Sequence, residues 1–136
     1  MATPDAVEIG LVGQADMVVG TNDTAPRVGS GRIAVLATPV MINLIEEAAL
    51  AAIESKLAPG TQSLGTRLDV THVAPTPVGM KVTATAKVVA IDKRLVTFHV
   101  QATDAIGVIG EGKHDRVVVA TDRFLARVAA REASQS

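Results

Sequence analysis

The chain has 136 residues, a formal net charge of −1 and no cysteine. Its length is typical of one domain, so we expect a single domain over residues 1–136. The balanced charge and an aromatic content of 1% exclude the basic surface and the stacking side chains typical of nucleic-acid binding. The absence of cysteine excludes disulfides, thiolate nucleophiles and cysteine-ligated zinc.

Charged residues interrupt every hydrophobic segment before it reaches the roughly 18 apolar residues that a membrane span requires. The first residues lack a basic stretch followed by an apolar run, which is the pattern of a secretory signal. These features predict a cytoplasmic protein without a membrane partner.

The chain begins with a weak strand pattern over residues 9–19. Residues 20–32 are rich in Gly, Asn, Asp, Ser and Pro, which is typical of a loop. Because this loop precedes a helix, it is a candidate lid or channel wall.

A long apolar helix is predicted to begin at Thr38 and Pro39. The threonine hydroxyl can cap a free backbone N–H, and proline at the first helical position sacrifices no hydrogen bond. The helix is expected to reach about Leu57 and to end at Pro59 and Gly60.

Four segments that are rich in β-branched residues and alternate in polarity follow the helix. Short turns join the last three, which predicts an antiparallel meander. The predicted strands cover residues 63–74, 81–91, 94–104 and 108–120. The final polar residues, 129–136, are predicted to be a frayed tail.

A helix that is apolar nearly all round has to be covered on most sides. A curved antiparallel sheet of about five strands, wrapped around the helix, would cover it. This α+β arrangement is the hot-dog fold. The alternative is a helix lying on one face of an open sheet.

The helix carries two adjacent carboxylates, Glu46 and Glu47, which face different directions at 100° per residue. Glu47 shares a polar stripe with Asn43 and Glu54, whereas Glu46 lies among apolar residues. An unpaired charge there costs several kcal/mol, so Glu46 should be paired, protonated or placed at an interface. It is therefore either a residue at the rim of the helix face or a functional base or nucleophile.

Alternation along residues 63–74 places His72 on the apolar face with Leu64 and Leu68, and Gly65 on the opposite face. A histidine in such a place is either a satisfied core residue or a functional one.

In the last strand, His114 and Arg116 share one face with two glycines, and this face should meet something other than solvent. The alternatives for the pair are a dimer interface and a surface salt bridge. His99 is expected to be exposed. The three histidines lie on separate strands without metal-ligand spacing, and no glycine-rich nucleotide motif occurs, so we expect neither a metal nor a cofactor.

The segments ATPVMINLIEEA, SLGTRLDVTHVAPTPVGMKVTATA and IGEGKHDRVVV resemble the hot-dog acyl-CoA thioesterases related to fluoroacetyl-CoA thioesterase. The resemblance extends over about residues 10–128. It implies hydrolysis of an acyl-CoA thioester by a homodimer, or by a tetramer, with CoA present only as part of the substrate.

The resemblance also implies roles for five residues. Glu46 would attack the thioester carbonyl or activate a water, Thr38 would hold Glu46 or the carbonyl oxygen, and His72 would orient and protonate. The backbone near Gly65 would contact the acyl group, and Arg116 would pair with a phosphate or with a carboxylate of the site.

The segment before the helix departs from the family. The fluoroacetyl-specific member has aromatic residues there, whereas residues 28–37 contain none. The resemblance therefore implies the chemistry rather than that acyl specificity, and it leaves open whether CoA or an acyl-carrier protein carries the acyl group. Two alternative functions are a non-catalytic acyl-CoA binding module and a hot-dog hydratase, which would need an Asp–His pair near the helix start.

Overall fold

A computed structural model of the chain describes residues 4–135. The strands of this part are β1 (Val12–Val18), β2 (Thr61–Val70), β3 (Lys81–Asp92), β4 (Leu95–Thr103) and β5 (Val108–Ala120). Its α-helices are α1 (Ala25–Val28), α2 (Thr38–Ile53) and α3 (Thr121–Ser134).

The strands form one antiparallel sheet in the order β1-β3-β4-β5-β2. The predicted meander is confirmed, because β3, β4 and β5 are neighbours in both sequence and space. The chain from β2 crosses to the other side of the sheet before it enters β3, which leaves β1 and β2 as the two edges.

Helix α2 packs against the inner face of the sheet and buries the side chains of seven residues: Met41, Leu44, Ile45, Ala48, Ala49, Ala52 and Ile53. Their partners are the inward-facing residues of the central strands, such as Val82, Ala84, Phe98 and Val100, all fully buried. Small residues on both sides bring the helix and the sheet close together.

The sheet curves around α2. Five flat strands would be roughly 20 Å wide, about twice the diameter of a helix, yet α2 approaches both edges. At one edge Gly13 of β1 lies against α2, and at the other Gly65 of β2 lies against the Glu46 carboxylate. The predicted sheet wrapped around a central helix is therefore confirmed, and the open flat sheet is wrong.

The start of α2 differs from the prediction. Thr38 is the first helical residue, Ala37 is the N-cap, and no side chain caps the helix. The predicted capping role of the Thr38 hydroxyl is therefore wrong, because that hydroxyl contacts a histidine instead. The α-helix ends at Ile53, and a 3-10 turn over Glu54–Lys56 extends it almost to the predicted end.

The prediction of a frayed tail over residues 129–136 is also wrong for the described residues, because α3 runs to Ser134. Good helix formers such as Ala, Arg and Leu make up much of this segment, although none of its residues is buried. The last residue of the predicted tail, 136, lies outside the described residues. The predicted loop over residues 20–32 contains a 3-10 turn and α1.

Gly13 determines how closely β1 approaches α2. A Cβ added at Gly13 would overlap the carbonyl oxygen of Ala48 and the backbone nitrogen of Ala52. Both are main-chain atoms of a helix, so no side-chain rotation relieves the overlap.

We expect Gly13→Ala to lower the free energy of unfolding by about 1–3 kcal/mol, the usual cost of overpacking a core. Denaturation followed by circular dichroism measures the change. Gly107→Ala is the matched control, because an added Cβ there meets no atom within 4 Å. Equal stabilities of the two variants would show that α2 does not lie this close to β1.

Candidate active site

Glu46 forms an ion pair with Arg116 from β5. Arg116 Nη1 donates to Glu46 Oε2 at 3.2 Å. The Arg116 side chain is only 5% exposed, whereas that of Glu46 is 35% exposed. The predicted need of Glu46 for a partner is thus met by a buried cation, while part of the carboxylate remains open to solvent.

Arg116 is held by two further residues. Its Nε donates to Ser63 Oγ at 2.8 Å, and its Nη2 donates to the Ser63 carbonyl oxygen at 3.1 Å. Its Nη1 also lies 3.1 Å from His114 Nε2. His114 and Arg116 therefore face the helix inside one chain, and the alternative of a surface salt bridge is wrong.

The hydrogen bonds of His114 determine its tautomer. His114 Nδ1 lies 2.8 Å from the Arg67 carbonyl oxygen, which can only accept, so Nδ1 carries the proton. Arginine can only donate, so His114 Nε2 accepts from Arg116. Burial lowers the pKa of His114, and the positive charge of Arg116 lowers it further.

Gly65 lies directly opposite Arg116 in the pairing of β2 with β5. A Cβ on Gly65 would lie 2.5 Å from Glu46 Oε2, so the missing side chain provides the space that the carboxylate occupies. A β-bulge between Gly65 and Arg67 shifts the register, and Leu68 beyond it packs on the core. The prediction that Gly65 and Leu68 face opposite sides is therefore wrong, because the bulge interrupts the alternation.

Thr38 and His72 form a second pair. Thr38 Oγ1 lies 2.6 Å from His72 Nδ1. Thr38 opens α2, and His72 follows the end of β2, so the contact joins the helix start to the chain leaving the sheet. Burial lowers the pKa of His72. His72 Nε2 is buried and has no hydrogen-bond partner among residues 4–135.

A shallow depression of about 330 Å³ adjoins this pair. Its lining is a mixture of polar and apolar groups and comes from the segment before α2, the start of α2 and the chain after β2. The lining residues are Ala25, Ser30, Val35, Leu36, Thr38, His72, Val73, Ala74 and Pro75. A group that enters the depression therefore meets the Thr38–His72 pair.

The predicted site residues thus form two groups. Arg116, Glu46 and Gly65 are together, and Thr38 is with His72. In the described part of the chain, no hydrogen bond or ion pair joins the two groups. Thr38 and Glu46 are eight residues apart on α2, which is about 12 Å along the helix axis.

The other polar residues of α2 and of the sheet follow the sequence expectations in part. Asn43 donates to Glu47 at 3.3 Å in an exposed stripe. Glu54 does not belong to this stripe, because it accepts from the Ser63 backbone and hydroxyl at 2.7 and 2.8 Å. His99 is exposed, as predicted, and lies 3.6 Å from Glu111.

Sequence reasoning did not identify Ser63 as part of this site, and it did not assign a role to His114. The alternation of β5 places His114 beside Arg116, which was the available signal. Nothing in the local pattern marks Ser63, because the bulge that sets its face is not visible in the sequence.

In the part of the chain that the structure describes, no three His, Asp or Glu side chains are arranged to hold a metal ion. Among the same residues, no helix is long and apolar enough to cross a membrane.

Comparison with solved structures shows which class of protein has this fold. A hot-dog-like protein from Thermanaerovibrio acidaminovorans superposes with a TM-score of 0.87 at 26% identity, covering 96% of this chain and 97% of that one. A solved structure of fluoroacetyl-CoA thioesterase superposes with a TM-score of 0.86 at 34% identity, covering 91% and 96%. The fold is the hot-dog fold, as predicted, in the form that thioesterases use.

Comparison of sequences shows which protein family the chain belongs to. Residues 19–122 match the sequence model of the fluoroacetyl-CoA-specific thioesterases. Fluoroacetyl-CoA thioesterase from Streptantibioticus cattleyicolor is 42% identical over 94 residues, which cover 69% of this chain and 68% of that protein. The chain belongs to the family of fluoroacetyl-CoA-specific thioesterases, and the prediction of a thioesterase is confirmed. The individual roles of its residues remain predictions.

One buried histidine, His114, and one half-buried histidine, His72, make the free energy of unfolding depend on pH. Burial lowers the pKa of both His72 and His114 from the ordinary value of 6.5. Below about pH 6.5 the unfolded chain therefore binds protons that the folded chain does not, and the free energy of unfolding should fall as the pH falls.

Denaturant titrations at pH 7.5, 6.5 and 5.5 measure this loss in the free energy of unfolding. These pH values lie above the range in which carboxylates titrate. The double variant His72→Asn, His114→Gln is the control, and its stability should change less over the same range. A wild-type stability that is constant between pH 7.5 and 5.5 would contradict the expectation.

Proposed function

We propose that this protein hydrolyses an acyl-CoA thioester to the free acid and CoA, with Glu46 as the catalytic carboxylate assisted by Thr38 and His72. The observation that carries the proposal is the state of Glu46. Arg116 holds Oε2, while Oε1 has no partner among residues 4–135 and the side chain is 35% exposed. A carboxylate fixed at one oxygen and open at the other can act on a bound substrate.

The relatives support CoA as the carrier. One solved structure of a fluoroacetyl-CoA thioesterase variant holds fluoroacetate and CoA, and another variant holds acetyl-CoA. The first covers 87% of this chain with a TM-score of 0.82. We therefore propose a CoA ester of a small acyl group as the substrate class.

Glu46 would act at the carbonyl carbon. As a base, Oε1 takes a proton from water while the water oxygen bonds to the carbonyl carbon. As a nucleophile, Oε1 forms a mixed anhydride, which water then hydrolyses. In both cases the carbon–sulfur bond breaks and the CoA thiolate takes up a proton.

Thr38 and His72 would hold the departing thiolate while it takes up that proton, which comes from the water consumed in the reaction. Burial lowers the pKa of His72, so the ring is neutral at pH 7 and carries one proton. When the Thr38 hydroxyl donates to Nδ1, the proton of the ring is on Nε2. Nε2 is buried and has no partner among the described residues, so its N–H would donate a hydrogen bond to the leaving sulfur once the bound substrate contacts it.

The segment before α2 bears on acyl specificity. Backbone hydrogen bonds from Ala25 to Val35 and from Leu36 to Thr76 close the base of this segment, but its tip is exposed, with Ile33 at 76%. No aromatic side chain lies in residues 28–37 to cover a small acyl group. We therefore propose that the enzyme accepts acetyl and fluoroacetyl groups with similar efficiency.

The experiment that tests this function is thiol release from acetyl-CoA, fluoroacetyl-CoA and longer acyl-CoAs. We expect release from the short esters, and Glu46→Gln should lower kcat at least about 100-fold, since acid–base catalysis contributes that much or more. Thr38→Val and His72→Asn should lower kcat as well. Full activity of Glu46→Gln would remove Glu46 from the mechanism.

Glu47→Gln is the matched control, because Glu47 is the adjacent carboxylate on the exposed stripe. It should keep wild-type activity. Binding of CoA esters without thiol release from any of them would instead indicate the non-catalytic acyl-CoA binding module.

We also propose a homodimer joined at the edge strand β2. This strand has ten residues, and within the described chain only β5 pairs with it. An unpaired strand edge readily pairs with another strand, and here the edge lies beside the Glu46 group. Sedimentation equilibrium should give twice the chain mass of 14.0 kDa. Four times that mass would indicate a tetramer, and the mass of a single chain would contradict the proposal.

A further inference from the structure

The guanidinium of Arg116 uses nearly all its donors within one chain. Arginine has five N–H donors, and four of them have partners here. Ser63 accepts two, and His114 and Glu46 accept one each. Because a planar guanidinium has fixed donor directions, the first three bonds determine where the fourth points.

Ser63 is itself oriented. Its hydroxyl donates to Glu54 Oε2 at 2.8 Å, so its lone pairs are left for Arg116 Nε. Its backbone N–H donates to the other oxygen of the same carboxylate at 2.7 Å. Glu54 thus fixes both the strand position and the hydroxyl direction of Ser63.

His114 is oriented in the same way from the other side. Its Nδ1–H donates to the Arg67 carbonyl oxygen, and its ring stacks on Phe98 with centroids 6.0 Å apart. The free lone pair of Nε2 therefore points at Arg116 Nη1, the nitrogen that also donates to Glu46. A rotation of the guanidinium away from Glu46 would break the bonds to both Ser63 and His114.

We propose that Ser63 and His114 are positioning residues, which hold Arg116 Nη1 where it aligns the Glu46 carboxylate for attack on the thioester. The inference rests on the proposed function, in which Glu46 acts on the substrate. Ser63 and His114 do not touch the substrate themselves, and they act through Arg116.

If Ser63 and His114 had a purely structural role, their variants would behave differently. Breaking a buried pair lowers stability whether or not the protein turns over substrate. A positioning role instead lowers kcat with little change in KM, and the loss depends on the presence of the Glu46 carboxylate. The two roles are therefore separable by kinetics.

The test compares His114→Phe with His114→Gln. Phenylalanine keeps a ring that can stack on Phe98 but provides no acceptor, whereas glutamine has an oxygen that can accept from Arg116. We expect His114→Phe to lower kcat by up to about 100-fold, the cost of a misplaced catalytic group, with KM nearly unchanged. His114→Gln should restore most of the loss. Ser63→Ala, which removes the acceptor of Arg116 Nε, should also lower kcat.

The dependence on Glu46 is measured in a double-mutant cycle. Adding His114→Phe to Glu46→Gln should have little further effect, because the group that His114 positions has already lost its charge. His99→Phe, an exposed histidine on the outer face of the same sheet, is the matched control and should keep wild-type kinetics.

Three results would overturn the inference. One is wild-type kcat for His114→Phe and Ser63→Ala while Glu46→Gln is inactive. Another is an equal loss of kcat in His114→Phe and His114→Gln. The third is a loss from His114→Phe that is as large in the Glu46→Gln background as in the wild type. If His114→Phe does not fold, Ser63→Ala, measured alone and in the Glu46→Gln background, decides the question. Full activity of Glu46→Gln would instead contradict the proposed function itself.

Discussion

The structure depends on one buried cation. Arg116 is 5% exposed and always charged, so its burial is tolerable only if hydrogen bonds and negative charge replace the lost water. Ser63 and His114 supply acceptors, and Glu46 supplies the charge. Glu54, in the 3-10 turn that follows α2, binds Ser63 and so supports the cation indirectly. The sheet and helix are thereby joined by polar contacts as well as by apolar packing.

Small residues make this arrangement possible. Glu46 reaches Arg116 because Gly65 has no side chain in the intervening space, and α2 approaches β1 because Gly13 has none either. The bulge after Gly65 then changes the register, so that Ser63 and Gly65 before it, and Leu68 beyond it, all face the helix. Without the bulge, the strand could not present both the polar group and the apolar core residues on one side.

Most of the fold could be predicted from the sequence, because helical and alternating periodicities are local properties. The sequence also identified Glu46 as a carboxylate that needs a partner, and alternation placed Arg116 on a face that should meet something other than solvent. The pairing itself was not readable, since it joins residues 70 positions apart through a strand register. Local pattern also failed where tertiary contacts prevailed: the hydroxyl of Thr38 contacts His72 rather than the helix end, and the bulge reversed the expected face of Gly65.

The distance between Glu46 with Arg116 and the Thr38–His72 pair restricts how the reaction can proceed. Glu46 and the Thr38–His72 pair lie on different turns of α2, and no described contact joins them. A triad in which His72 directly polarises Glu46 therefore does not exist within one chain. In the proposed mechanism, the two groups would instead act on different atoms of the substrate, or meet their counterparts across an interface. A thioester suits the first arrangement, because its carbonyl carbon takes the attack while its sulfur takes the proton. Among the described residues, Glu46 Oε1 and His72 Nε2 have no partner, and in the proposed mechanism they would act at the carbon and at the sulfur respectively.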